Sequence, residues 1–147
     1  MRFEGKIILL VEDNPDDEAL TLRALKNSNL TNRIDVVRDG AEALDYLFCT
    51  GLHAERDSSQ KPAVIFLDVK LPKMDGAEVV KKIRENENTK FIPIVMLTTS
   101  TQENDIVRCY ENGANSYIKK PIDFKNFMQI ITLMGAYWLT LNTAPKD

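Results

Sequence analysis

Apolar and polar positions alternate along this chain in blocks. Uninterrupted apolar runs occupy Ile7 to Val11, Ala63 to Leu67 and Ile94 to Leu97, with shorter ones at Ile34 to Val37 and Ser116 to Ile118. Short runs without a polar alternate fit strands that are covered on both faces, as in a parallel sheet. Between them, apolar residues recur at helical spacing over Pro15 to about Ser28, Gly40 to about Phe48, Gly76 to Asn86, Gln102 to Asn112 and Asp123 to about Asn142. Five strands alternating with five helices predict a doubly wound α/β sheet.

The residues at the boundaries support these segments independently of hydrophobicity. Asn14 supplies an N-cap, and Pro15 then takes the first helical position, where its missing N–H costs nothing. Asp16, Asp17 and Glu18 follow at the end of a helix that favours anions. Gly113 after Asn112 and Asn88-Thr89 after the third helix read as stops, and Pro93 sits just before a strand. Thr99 and Ser100 read as caps for the helix that begins near Gln102. The stretch Cys49 to Pro62 is long and polar for a connection inside a compact domain. Its His53, the only histidine, is expected to be solvated.

A length of 147 residues with 44% apolar content suits one domain with a buried core. The formal charge of −3 argues against nucleic acid as a partner, since phosphate backbones are held by clustered Lys and Arg. The apolar run after Met1-Arg2-Phe3-Glu4-Gly5-Lys6 is too short for a signal peptide. No run approaches the ~18 apolar residues of a membrane span. Cys49, at the end of the second predicted helix, and Cys109, in the fourth, lie far apart without metal-type spacing, so free thiols and a reducing cytoplasm are expected.

Ligands of open α/β sheets bind outside the carboxyl ends of the strands. Every polar island of interest falls at such an end: Glu12 and Asp13 after the first strand, Asp68 after the third, Thr98 at the end of the fourth, and Lys120 after the fifth. Three carboxylates in one cleft repel one another unless a hard cation neutralises them, and Mg²⁺ or Mn²⁺ would do so with few protein ligands. An ionised Asp68 could then act as a nucleophile towards phosphorus. Lys120 would hold phosphoryl oxygens as a point charge, and the Thr98 hydroxyl could donate to an oxygen that arrives only with the phosphoryl group. Tyr117 is bulky and well placed to follow a movement of Thr98.

These motifs occur together and in order. LVEDN, LDVKLPKMDG, LTTS and YIKKP resemble the acidic pair, the phosphoacceptor strand and loop, the switch-threonine segment and the lysine-proline turn of CheY-like receiver domains of two-component response regulators, over roughly residues 5 to 140. The resemblance implies a flavodoxin-like five-stranded parallel sheet of order 2-1-3-4-5 with five helices, the last one long. It implies a single domain over residues 5–142 with a short tail at 143–147. By resemblance, Asp68 accepts the phosphoryl group; Asp13 and Asp68 ligate Mg²⁺, Glu12 helps through water, and the backbone carbonyl of Lys70 completes the protein ligands. Thr98 and Tyr117 form the switch pair, and the Lys120–Pro121 bond would be cis.

Two features are particular to this chain. Lys70 stands two positions past Asp68, where its ammonium would overhang the phosphoryl group. In the last helix, Phe124, Phe127, Met128, Ile131, Met134, Trp138 and Leu141 form one stripe, and Ile130, Leu133 and Tyr137 a second. One stripe should pack on the sheet; the other, on a helix of about 20 residues and so about 30 Å long, leaves apolar surface for a partner or a second copy. The YWLTLN ending resembles stand-alone regulators paired with cyanobacterial phytochrome kinases, some of which dimerise through this helix.

The expected function is a phosphorylation-switched binding module with no enzymatic activity beyond its own phosphorylation and dephosphorylation. Its partners would be a sensor histidine kinase of phytochrome type, a downstream protein or a histidine phosphotransfer protein, and a homodimer mate; nucleic acid and membrane are excluded. A phosphorelay intermediate or phosphate sink would use the same site. A metal-dependent phosphohydrolase is disfavoured because Lys70, not a second acid, stands two positions past Asp68. An FMN-binding relative is weaker still, because EDNPDDE is acidic where a phosphate cradle needs donors.

Overall fold

A computed structural model describes residues 6–27, 32–121 and 123–145. The reading of the first five residues and the predicted helix end at Ser28 lie outside them. Strands β1 (Ile7–Val11), β2 (Arg33–Val37), β3 (Val64–Leu67), β4 (Ile94–Thr98) and β5 (Ser116–Lys119) alternate with helices α1 (Pro15–Asn27), α2 (Gly40–Phe48), α3 (Gly76–Glu85), α4 (Glu103–Asn112) and α5 (Phe124–Ala136). The strands form one parallel sheet in the order β2-β1-β3-β4-β5. This is the predicted flavodoxin-like architecture.

The apolar runs are continuous because alternate residues supply different layers. On β1, Leu9 and Val11 join a core under α2, α3 and α4, whereas Ile8 and Leu10 join the core under α1 and α5. On β4, Ile94 and Met96 serve the first core, Val95 and Leu97 the second. Neither face of a central strand meets water, so neither needs a polar alternate. Boundary chemistry is as expected at α1, where the amides of Asp16 and Asp17 donate to Asn14 Oδ1 at 2.9 and 3.2 Å. Gly113 ends α4 with φ 112°, a conformation that glycine adopts without steric cost.

Within the fold, the chain departs from expectation at the last helix and in the connection after Cys49. The last helix is not one continuous α-helix: α5 passes into a π-helical turn at Tyr137–Leu141. The widened turn keeps the buried face in register, so that Phe127, Ile131, Gly135 and Leu139 point inward at intervals of four residues. Leu139 thus replaces Leu141, and its carbonyl accepts from Lys6 Nζ at 2.7 Å. Phe124 and Leu141 of the first predicted stripe are exposed.

The polar connection after Cys49 is organised rather than slack. It contains a short 3-10 turn, Gly51–His53, and the Arg56 guanidinium lies 3.9 Å over the ring of Tyr46 while bonding to the carbonyls of Tyr46 and Gln60. His53 is half-buried rather than solvated, with Nε2 3.1 Å from Glu42 Oε2 and its ring edge-on to Tyr46. Polar groups close the loop upon α2, a pattern that apolar periodicity does not register. The two cysteines are free, Cys109 buried and Cys49 half-buried, and burial pushes the Cys109 thiol up to about 11.

Candidate functional site

The sheet's hydrogen-bond ladder runs one residue past the strands and places the polar groups. Glu12 N–H donates to the Val37 carbonyl at 3.0 Å, Asp68 N–H to that of Val11 at 3.3 Å, and Lys120 N–H to that of Thr98 at 2.7 Å. Residues that follow adjacent strands are therefore brought side by side. Carboxylate oxygens of Glu12, Asp13 and Asp68 lie within 4.8 Å of one another. Glu12 and Asp68 are buried and Asp13 faces solvent.

The Lys120 side chain, 6% exposed, crosses this cluster with Nζ 2.6 Å from Glu12 Oε2, 3.1 Å from Asp17 Oδ2 and 3.6 Å from Asp68 Oδ2. Burial works against its charge, but the hydrogen bond to Glu12 and the charges of Asp68 and Glu12 outweigh it and hold the ammonium above the usual lysine range. Burial pushes the Glu12 carboxyl up, and Lys120 opposes it. Hard oxygen donors in a part-buried cleft fit a divalent cation such as Mg²⁺ or Mn²⁺.

Thr98 is buried, and its Oγ1 accepts from the Ser100 N–H at 3.2 Å. The Tyr117 hydroxyl donates to the Ser100 carbonyl at 3.0 Å, so both residues of the expected switch pair meet at one loop residue. Ser100 does not cap α4, whose N-cap is Gln102; its hydroxyl instead donates to Asp105 Oδ2 at 2.5 Å. Thr99 is exposed. Lys70 also differs from expectation. Its N–H reaches Asp68 Oδ1 at 3.4 Å, but its ammonium is 3.5 Å from Asp105 on α4 rather than above Asp68.

The Lys120–Pro121 bond is not cis, and no peptide bond among the described residues is. With the bond trans, the Lys120 amide still completes the ladder and the ammonium still reaches Glu12 and Asp68.

Asp17 is the residue that sequence reasoning passed over. Its place in the first turn of α1 explained its charge as a helix-end preference. The available signal was direction: side chains of a helix tilt towards its N-terminus, and here that end faces the tip of β1.

A five-stranded doubly wound sheet thus gathers an acidic triad, a buried lysine and a threonine at the carboxyl ends of its strands, a set that fits a divalent-cation site. The model of the response regulator receiver domain matches residues 8–132, and the chain belongs to that family. The probable methanogenesis regulatory protein FilR2 of Methanothrix harundinacea is 43% identical over 139 residues, covering 95% of this chain and 87% of the relative. Response regulator Rcp1 of Synechocystis sp. is 38% identical over 140 residues, covering 95% and 93%. A crystal structure of the Mn(2+)-bound form of Rcp1 aligns with a TM-score of 0.86 over 96% of this chain and 99% of that one. The phosphorylated cyanobacterial phytochrome response regulator RcpA aligns with a TM-score of 0.88 at 40% identity, over 96% and 99%. The chain is therefore a response regulator receiver of two-component signalling and resembles stand-alone phytochrome response regulators. No helix among the described residues is long and apolar enough to cross a membrane.

Proposed function

We propose that Asp68 accepts a phosphoryl group from a sensor histidine kinase, and that the modification is read out as altered protein contacts. The observation that supports this most directly is the Asp68 carboxylate itself. It lies within 4.8 Å of two further carboxylates that can share a cation with it, and 3.6 Å from a buried ammonium. A bound Mg²⁺ would neutralise the cluster and the incoming phosphoryl charge, held by Asp13, Asp68 and the Lys70 carbonyl, with Glu12 acting through water. A carboxylate oxygen of Asp68 forms the new P–O bond while the P–N bond to the donor histidine breaks and the imidazole takes the electron pair. Lys120 pairs with the phosphoryl oxygens. Thr98 turns its hydroxyl to one of them, and Tyr117 follows through their shared neighbour, Ser100.

The domain would span residues 5–142, with 143–147 as a tail, in the cytoplasm. A phytochrome-type kinase as donor is supported by the likeness to RcpA. A downstream protein or histidine phosphotransfer protein would read the α4 face and Tyr117. A homodimer would form through the last helix, where Leu133, Tyr137 and Leu141 are exposed.

Intact-mass spectrometry with acetyl phosphate tests the central claim. Wild type should gain one phosphoryl group only when Mg²⁺ is present, and Asp68→Asn should gain none. Labelling that persists in Asp68→Asn would move the acceptor elsewhere.

A further inference from the structure

Lys120 is shared unequally among three carboxylates, and one of them stands outside the cation cluster. Glu12 and Asp68 belong to the group of oxygens that can hold a metal; Asp17 does not. A cation would draw on the charge of Glu12 and Asp68, whereas the whole charge of Asp17 stays available to Lys120. The ammonium lies closer to Asp17, at 3.1 Å, than to Asp68, at 3.6 Å.

We propose that Asp17 is a positioning residue that competes with the phosphoryl group for Lys120, and so sets how tightly the site takes up phosphoryl chemistry. This rests on the phosphoryl-acceptor reading given above. Lys120 has three ammonium protons and is nearly buried, so bulk water offers it little alternative. A phosphoryl group on Asp68 adds anionic oxygens that need the same protons. Bringing the ammonium to them weakens its contact with Asp17, and the carboxylate left behind repels the newcomer. The Asp17 side chain is 31% exposed, which moderates the competition without abolishing it.

Asp17 is aimed at Lys120 by its element. Asn14 caps the helix through the amides of Asp16 and Asp17, which fixes the first turn of α1 over the end of β1. Asp16, adjacent and equally charged, is exposed, and no ion pair joins it to Lys120 among the described residues. The two aspartates therefore separate a specific contact from the general acidity of the helix end.

The test is calorimetric titration of beryllofluoride, a phosphoryl mimic, at saturating Mg²⁺ into wild type, Asp17→Asn, Asp17→Ser, Asp17→Glu and Asp16→Asn, with thermal unfolding as a check on folding. Asp17→Asn and Asp17→Ser should bind about twofold to fivefold more tightly than wild type, the range of a partly exposed ion pair. The acetyl phosphate concentration giving half-maximal phosphorylation should fall by a similar factor. Asp17→Glu and Asp16→Asn should stay near wild type. A merely structural role for Asp17 would instead weaken both Mg²⁺ and beryllofluoride binding. Unchanged or weaker binding by the two neutral variants overturns the proposal, as does equal tightening in Asp16→Asn. If wild type itself takes up no beryllofluoride, the phosphoryl-acceptor reading fails and this proposal falls with it.

Discussion

Asp105 collects three donors on one buried carboxylate: Ser100 Oγ at 2.5 Å, an Arg108 guanidinium nitrogen at 3.2 Å and Lys70 Nζ at 3.5 Å. Arg108 continues to Asp75, the N-cap of α3, at 2.6 Å. Through Ser100 this network touches Thr98 and Tyr117; through Lys70 and Asp75 it touches both ends of the loop that follows Asp68. A movement of Thr98 towards a phosphoryl oxygen, as proposed above, would thus reach α4 through Ser100 without any long-range displacement. The Ser100 hydrogen bond, aided by the Lys70 and Arg108 charges against burial, holds the Asp105 carboxyl below the usual aspartate range. A depressed carboxyl contributes stability that is present above its unfolded pKa and is lost as pH falls through the folded one. Asp105→Asn should therefore cost about 1–3 kcal/mol at pH 7. The difference from wild type should shrink as pH falls below about 4. Urea unfolding at pH 7 and pH 3 checks this; a difference that stays constant would assign the cost to shape rather than charge.

At the scale of elements, α3 is set against the backbone of Asp68 by a single missing methyl group. A Cβ on Gly76 would sit 2.2 Å from the Asp68 carbonyl oxygen and 2.9 Å from Val69 Cα, both backbone atoms that cannot turn aside, and the Gly76 N–H donates to the Val69 carbonyl at 2.7 Å. Gly76→Ala should cost about 1–3 kcal/mol in thermal unfolding and slow phosphorylation at Asp68, because the helix must retreat from the loop it supports. Full retention of both would show that the loop relaxes freely. The pattern of the sequence revealed such elements where a continuous signal existed. Runs such as Ile7 to Val11 and Val64 to Leu67 are strands because both faces are covered, and the polar groups at their ends converge because the ladder continues one residue further. Side-chain direction and local polar bonds lie outside that pattern. The turn of Asp17 towards Lys120, the diversion of Lys70 to Asp105, the folding of Arg56 over Tyr46 and the π-helical turn that buries Leu139 leave no trace in hydrophobic period. The Lys120–Pro121 geometry was inferred by resemblance, and a trans bond serves the same contacts.

For the whole molecule, the two cores leave different surfaces. The layer under α2, α3 and α4 connects to the site through Asp75, Ser100 and Tyr117, whereas α5 covers the opposite core and presents an apolar outer face. Leu133, Tyr137 and Leu141 recur at intervals of four residues, 65%, 44% and 71% exposed, and remain aligned across the π-helical turn. Exposed leucines and a tyrosine in one row on a helix make a coherent apolar patch rather than scattered surface residues, and burying such a patch is favourable in proportion to its area. Because this face lies across the sheet from the network around Asp105, substitutions on it should separate assembly from phosphoryl chemistry. Leu133→Glu combined with Tyr137→Glu should give a monomer at tens of micromolar protein, and should still gain one phosphoryl group from acetyl phosphate and Mg²⁺ at the wild-type rate. Size-exclusion chromatography with light scattering, run on both proteins with and without phosphorylation, measures the first outcome, and intact mass measures the second. A wild type that stays monomeric in both states would remove the homodimer and leave the row to a different partner. Loss of phosphorylation in the double variant would show that the two faces are not independent.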